Sequence, residues 1–137
     1  MRLPRAWVRS FALLWAFPTT AVGLLLLGIA VATGGRASRV DGVLEGFGGL
    51  LSRAMALLPR GGIAAITLGH VVLGASRSAL EQTRAHERAH VGQCERWGPL
   101  FLPAYLASSA WAWSCGGDPY RDNRFERQAF EAESPGS

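Results

Sequence analysis

The sequence contains no lysine, only two cysteines and, from Phe11 to Thr33, no charged side chain. Two cysteines are too few for a disulfide-stabilised scaffold, and Cys94 and Cys115 lack the spacing of a metal-binding pair. All 14 basic residues are arginines, against 10 acidic residues, which gives a net charge of +4. This excess favours anionic lipid headgroups. The arginines are scattered rather than clustered on one segment, so nucleic acid is not an expected partner.

With 137 residues and no visible internal repeat, the chain has room for one small domain. The charge-free run of about 23 residues is long enough to cross a bilayer as a helix, and Pro18 is tolerated in such helices. We therefore predict an N-terminal transmembrane helix within residues 1–35. A cleaved signal peptide is the alternative, because Ala30-Val31-Ala32 resembles a processing site. Arginines flank both ends of the run and leave its orientation open.

The middle of the chain is rich in glycine. We expect turns after Val40, a short amphipathic helix over Leu50 to Leu58, and a turn at residues 59–62. Residues 63–74 are rich in β-branched side chains and predict one or two short strands, with a hairpin about Gly69. His70 lies in this run, where a structural role within a strand is favoured over a role in a site.

The most informative motif is His86-Glu87-x-x-His90. On a helix, residues four apart share a face, so both histidines can bind one ion while Glu87 acts as general base. The spacing Ser78-x-x-Glu81 predicts a helix start near Ala79, and Gly98-Pro99 predicts its end. Cys94 continues the histidine stripe but lies about 12 Å along the helix from His86, too far for a shared zinc ion. A solvated helix with incidental histidines is the alternative.

The third ligand must then come from another segment. Asn123 is a suitable helix N-cap with Glu126 three residues on, so Glu126 either closes a capping box or binds the metal; Glu131 and Glu133 are weaker candidates. The charge-free stretch 97–117 lies between the two motifs. We expect it to be buried or to dip into one leaflet, because a second span would separate His86 from the later helix.

Taken together, these motifs resemble the gluzincin group of zinc metallopeptidases. The resemblance rests on His86-Glu87-x-x-His90, Gln93 and Asn123-x-x-Glu126-x-x-Ala129, and it covers residues 67–131. Two blocks, RWGPLFLPAY at 96–105 and YRDNRFER at 120–127, also resemble a small bacterial membrane-associated family, which implies a bacterial inner-membrane location. The gluzincin resemblance implies one Zn²⁺ ion, with His86, His90 and Glu126 as its ligands and Glu87 as the general base. It also implies a peptide or protein substrate that is aligned by strand addition. The strand expected to bind this substrate consists of Thr67, Leu68, Gly69, His70 and Val71.

Asp122 and Asn123 are candidates to orient a histidine ring, and Tyr120 and Tyr105 are the available hydroxyl donors. The expected fold is α+β and mostly α. It consists of an anchor (1–35), a minimal zincin-like domain (36–131) with a short hairpin or edge strand before the motif helix, and a disordered tail (132–137). The predicted function is a membrane-anchored zinc peptidase. The alternative is a non-catalytic membrane protein, a scaffold or assembly subunit, with a structural metal or incidental histidines.

Overall fold

A computed structural model describes residues 5–58 and 63–133, so the turn predicted at 59–62 and most of the predicted tail lie outside the described residues. The fold is α+β and mostly helical, as predicted. The elements in chain order are α1 (Arg5–Ala32), β1 (Arg36–Val40), β2 (Val43–Phe47), α2 (Gly49–Ala56), β3 (Ala65–Leu68), β4 (Val71–Gly74), α3 (Arg77–Trp97), a 3-10 turn (Gly98–Leu100), α4 (Phe101–Ser114) and α5 (Arg124–Glu133).

Four strands form one sheet in the order β1-β2-β4-β3. β1 and β2 are an antiparallel hairpin, β4 runs parallel to β2, and β3 pairs antiparallel with β4 at the outer edge. The hairpin predicted about Gly69 is confirmed: Gly69 has φ +64° in the first turn position, where glycine is favoured. His70 lies in that turn rather than within a strand.

The β1–β2 hairpin confirms a turn directly after Val40 but places strand β2 where further turns were predicted. Asp41 and Gly42 form its two-residue connection, with φ values of +50° and +80°. Turns with two positive φ values match the twist of the flanking strands and favour Asp-Gly. Glycines at 46 and 48 concealed the strand pattern, but Gly46 leaves room for the end of the Leu27 side chain, which a Cβ at this position would meet.

The sheet lies between two helices. Side chains that alternate along the strands form two clusters: Leu68, Val71 and Leu73 pack with Leu27 of α1, whereas Val43 and Val72 pack with Leu80 and Val91 of α3. Strand side chains point alternately to the two faces of a sheet. Helix α1 therefore covers one face and α3, which carries the histidine motif, covers the other.

Helix α1 approaches the sheet closely. Its buried residues Ala16, Thr19, Gly23, Leu27 and Ala30 follow a helical stripe. A Cβ on Gly23 would lie 2.8 Å from Val71 Cβ and 2.9 Å from the Leu68 carbonyl oxygen, so only glycine fits without a shift. Apart from this stripe α1 is largely exposed. Among the described residues it is the one helix long and apolar enough to cross a membrane.

The boundaries of the later helices refine the prediction. Ser76, not Ser78, caps α3 by accepting a hydrogen bond from the Ala79 backbone N–H at 3.0 Å, so the helix begins at Arg77. It ends at Trp97, before Gly98, as predicted. Helix α4 has 14 residues, about 21 Å at 1.5 Å per residue, and is too short to cross a bilayer. Helix α5 extends to Glu133, beyond the predicted start of the tail.

The Gly23 contact gives a first prediction. Replacing Gly23 with alanine should destabilise the protein by about 1–3 kcal/mol, because Val71 and the backbone at Leu68 must move to admit a methyl group. The matched control is Gly28→Ala on the same helix, where a Cβ would meet no atom within 4 Å. Denaturant unfolding in detergent measures both, and the control should be neutral or stabilised by up to about 1 kcal/mol. Equal effects of the two changes would contradict the packing.

Candidate metal centre

Two histidines and one glutamate converge between α3 and α5. His86 and His90 lie one turn apart on α3, and their Nε2 atoms are 2.8 Å and 3.2 Å from the same atom, Oε2 of Glu126. All three side chains are buried, and their candidate ligand atoms lie within 4.8 Å of one another. The structure therefore brings together the three residues singled out by the sequence, in a group that could hold a metal ion.

Helix α5 is fixed so that Glu126 faces α3. Its N-cap Asn123 accepts a hydrogen bond from the Phe125 backbone N–H at 2.9 Å and donates to the Tyr105 carbonyl and to Ser109 Oγ of α4. Glu126 does not close the capping box expected as its alternative role. Instead, the Tyr105 hydroxyl donates to Glu126 Oε1 at 2.6 Å, which turns Oε2 towards the histidines.

The protonation of His90 can be assigned from its surroundings. Its Nδ1 lies 2.8 Å from Gln93 Oε1. The Gln93 amide nitrogen donates to the Phe125 carbonyl at 2.9 Å, which can only accept, so Gln93 Oε1 must be the acceptor for His90. His90 Nδ1 therefore carries hydrogen. In the neutral ring, its Nε2 presents a lone pair to the Glu126 carboxylate.

His86 has the same arrangement. Its Nδ1 lies 3.1 Å from Glu133 Oε2, a carboxylate oxygen that accepts when ionised. Nδ1 therefore donates, and Nε2 of the neutral ring also directs a lone pair at Glu126. Glu133, a weaker ligand candidate in the sequence, thus contacts the far side of the ring from the point of convergence. Glu131 is exposed on α5.

Two lone pairs facing one carboxylate oxygen repel unless a cation lies between them. A proton on each ring removes this repulsion. The contact with Glu126 raises the pKa of His86. For His90, burial of the ring opposes the shift, but the contact with Glu126 still raises the pKa. Despite its burial, Glu126 has its pKa lowered to about 2 by hydrogen bonds from His86, His90 and Tyr105. A single divalent ion satisfies all three ligands without two buried imidazolium rings.

The donor set fits such an ion. Tetrahedral zinc sites with bonds of about 2.0–2.1 Å place ligand atoms about 3.3 Å apart, so the observed 2.8 Å and 3.2 Å need only a small expansion. Metal-binding histidines usually donate their other ring nitrogen to a carboxylate or carbonyl oxygen, as His86 and His90 do here. Two imidazoles and a carboxylate also suit other divalent transition metals, so the donor set defines the class of ion and not its identity.

Glu87 lies beside this cluster, on the side of the sheet. The Thr67 hydroxyl of edge strand β3 donates to Glu87 Oε2 at 2.6 Å. Burial raises the pKa of Glu87, although Thr67 and the two histidines oppose the shift. The carboxyl group is therefore close to the candidate ligands, held in one orientation, and more basic than an exposed glutamate.

Three other predicted site residues have different roles. Asp122 accepts a hydrogen bond from the Asp118 backbone N–H in the turn before α5, and Asn123 binds α4; neither touches a histidine. Gln93 and Glu133, for which no histidine contact was predicted, contact His90 Nδ1 and His86 Nδ1 instead. Tyr120 stacks edge-on against Phe130, and burial together with the charge of Glu126 raises its pKa to about 12, so its hydroxyl stays protonated near the site.

The predicted substrate strand is shorter than expected. Thr67 and Leu68 lie on β3, at the edge of the sheet, but Gly69 and His70 form the turn. Val71 belongs to inner strand β4 and pairs with both Leu68 and Leu44, so its backbone is not free for strand addition. Of the predicted substrate strand, only Thr67 and Leu68 therefore lie on an edge strand of the sheet.

Comparisons of the chain with protein-family models, with curated proteins and with solved structures find no match. The resemblance to gluzincins stays a prediction, and the geometry of the site carries the functional argument.

The cluster predicts metal binding that depends on Glu126. Purified protein should bind about one equivalent of zinc, and His86→Ala or Glu126→Ala should remove most of it, because each leaves two of three ligands. Glu131→Ala, a neighbouring exposed acid on α5, is the matched control and should retain the metal. Metal analysis after dialysis, with circular dichroism to monitor folding, measures the outcome. Full metal content in a folded Glu126→Ala protein would exclude this ligand set.

Proposed function

We propose that the protein is a membrane-associated, zinc-dependent hydrolase that cleaves peptide bonds. The observation that carries the proposal is the convergence of His86, His90 and Glu126 on one point, with Glu87 beside it. Within the described residues this group offers three protein ligands. Three ligands leave one coordination position for a reactant, as in catalytic zinc sites, whereas structural sites usually have four.

The roles of the chain's own residues follow from their contacts. When bound, a zinc ion supplies a Lewis acid that polarises a carbonyl group and lowers the pKa of a water molecule. Glu87 is the group suited to accept a proton, because it is buried, more basic than usual and fixed by Thr67. Tyr105 orients Glu126, and Tyr120 offers a neutral hydroxyl donor for a developing negative charge.

The arrangement of β3 supports a peptide substrate. Thr67 joins this edge strand directly to Glu87, so a chain paired with residues 65–68 would pass close to the general base. Strand addition uses backbone hydrogen bonds and therefore selects an extended peptide over a compact small molecule. The edge has only four residues, which favours recognition of a short segment around the cleaved bond.

A structural metal that joins α3 to α5 is the second candidate. The burial of all three ligands and of Glu87, each with no more than 6% of its surface exposed, favours it, because a buried site is harder for a substrate to reach. The proximity of Glu87 favours the hydrolase, since a structural site has no need of a buried carboxyl group beside its ligands.

Glu87→Gln separates the two functions. The amide has the same shape, so zinc content should persist, while hydrolysis of a fluorogenic peptide library should fall about 10²–10⁴-fold with loss of the general base. Glu81→Gln, an exposed acid on the same helix, is the control and should keep full activity. A zinc-loaded wild-type protein that cleaves no peptide in the library would instead favour the structural role.

We also propose that α1 holds the protein at a membrane. Its surface away from the sheet exposes large apolar side chains along its length, among them Trp7, Phe11, Leu14, Phe17 and Leu25. Helix α4 starts against α1, where Phe101 packs on Ala16, and exposes Leu102, Leu106 and Trp113 along one face. Exposed apolar surface of this extent marks a membrane or protein contact.

The packing of α1 favours a helix that lies in the plane of the membrane over one that crosses it. A crossing helix would bring the attached sheet, and α3 with Arg84 and Arg88, to the level of the hydrocarbon core, where charged groups are costly. A retained helix is favoured over a cleaved signal, since cleavage after Ala32 would uncover Leu68, Val71 and Leu73.

Labelling of single cysteines tests this orientation. In a Cys115→Ser background, Val8→Cys and Val31→Cys place exposed thiols near the two ends of α1, while Cys94 stays buried. If α1 lies in the plane of the membrane, an impermeant maleimide added outside sealed vesicles should label both positions or neither in a given orientation. Labelling of one end only, with the other exposed after lysis, would show that α1 crosses the bilayer.

A further inference from the structure

An open cavity of about 530 Å³ lies on the side of α3 opposite the candidate metal centre. Four parts of the chain line it: α1, the β1–β2 hairpin, the β3–β4 turn and α3. Its charged and titratable residues are Arg9, Arg39, Asp41, His70, Arg88 and Glu95. None of them belongs to the metal cluster, and the proposed hydrolase makes no use of them.

Two polar atoms at this cavity are buried without a hydrogen-bond partner among the described residues: Nη1 of Arg88 and Nδ1 of His70. Arg88 is otherwise fixed, because its Nη2 donates to the Val40 carbonyl at 2.9 Å and to Glu45 Oε2 at 3.0 Å. Buried polar groups in folded proteins are nearly always satisfied by protein atoms, ordered water or a ligand, so each of these two atoms needs a polar partner.

Arg88 Nη1 and His70 Nδ1 need opposite kinds of hydrogen-bond partner. Arg88 Nη1 can only donate, so it needs an acceptor such as an anionic oxygen. His70 Nε2 lies 2.8 Å from Glu95 Oε1, a carboxylate that accepts, so the ring carries its hydrogen on Nε2 and its neutral form presents Nδ1 as an acceptor. A ligand that carries an anionic oxygen and a hydroxyl group supplies both kinds of partner.

Two further arginines reinforce the preference for an anion. Arg9 of α1 and Arg39 of β1 are exposed at the cavity, and neither forms a salt bridge within residues 5–58 and 63–133. The guanidinium group of Arg9 lies over the β1–β2 turn, since its Nη2 would be 3.2 Å from a Cβ on Gly42. Three arginines and two acids line the cavity, so positive charge is in excess there.

We propose that this cavity binds a phosphate ester that bears a neighbouring hydroxyl, with Arg9, Arg39 and Arg88 as the phosphate contacts and His70 as the hydroxyl contact. Arginine presents several donors in a planar fork that matches phosphate oxygens. The ester is either the headgroup of an anionic phospholipid or a free phosphate monoester. The position of the cavity beside Leu13, on the helix that carries the exposed apolar surface, suits a lipid headgroup.

The test uses the full chain and two double variants with equal loss of charge. Arg9→Gln with Arg39→Gln removes two cavity arginines, whereas Arg5→Gln with Arg36→Gln removes two exposed arginines from the same elements, α1 and β1, outside the cavity. Glycerol phosphate and inorganic phosphate, titrated into protein in a maltoside detergent, test the free ester. Flotation with phosphatidylcholine vesicles, with and without phosphatidylglycerol, tests the headgroup.

Binding that depends on the cavity arginines, in either the titration or the flotation assay, supports the proposal. The assay that detects it shows whether the ligand is a free phosphate ester or a lipid headgroup. The cavity variant should lose about tenfold or more in affinity for each arginine removed, and the control variant about twofold at most. Equal losses in the two variants, or no saturable binding of either phosphate or phosphatidylglycerol vesicles, would overturn it. Zinc content is measured in parallel and should be unchanged in both variants, so failure of this site and failure of the metal site are distinguishable.

Discussion

Two imidazole nitrogens directed at one carboxylate oxygen are the constraint on which the candidate site depends. The lone pairs of His86 and His90 cannot approach Glu126 at 2.8 Å and 3.2 Å without a positive charge between them. Gln93 and Glu133 enforce this arrangement, because each holds the hydrogen of a ring on the far nitrogen. The outer contacts, together with the three candidate ligands, form a group that could hold a metal ion.

The rest of the fold serves to hold the two helices that meet at this point. The sheet fixes α3 through Val72, Leu80 and Val91, and it also positions Thr67 against Glu87. Helix α4 fixes α5 through the contacts of Asn123 and of Tyr105. Residues 97–117, between the two motifs, therefore have a structural purpose although they carry no charge.

The sequence was most informative where a chemical requirement sets the spacing. The histidine pair, the later Glu126 and the hairpin about Gly69 could all be predicted, because metal geometry and turn geometry restrict the residues that can occupy them. The contacts of Gln93, Glu133 and Tyr105 with the site depend on how three helices pack, and their spacing in the sequence carries no such signal. The β1–β2 hairpin had a signal in Asp41-Gly42, but the neighbouring glycines obscured it.

Helix α1 shows a different limit of sequence reasoning. Its apolar run indicated a membrane segment, yet Gly23 and Leu27 are equally the surface on which the sheet is built. A helix whose outer side suits lipid and whose inner side suits a protein core is apolar all round. Composition alone therefore cannot separate the two sides.

The order of synthesis adds a consequence of this packing. Thr20 of α1 accepts a hydrogen bond from the His70 backbone N–H, a partner 50 residues later in the chain. Helix α1 is thus translated well before the strands that cover its inner side, and for that interval it is apolar surface without a partner. If α1 binds a membrane as proposed, the sheet would assemble on a helix already bound to lipid, and membrane binding would precede tertiary folding.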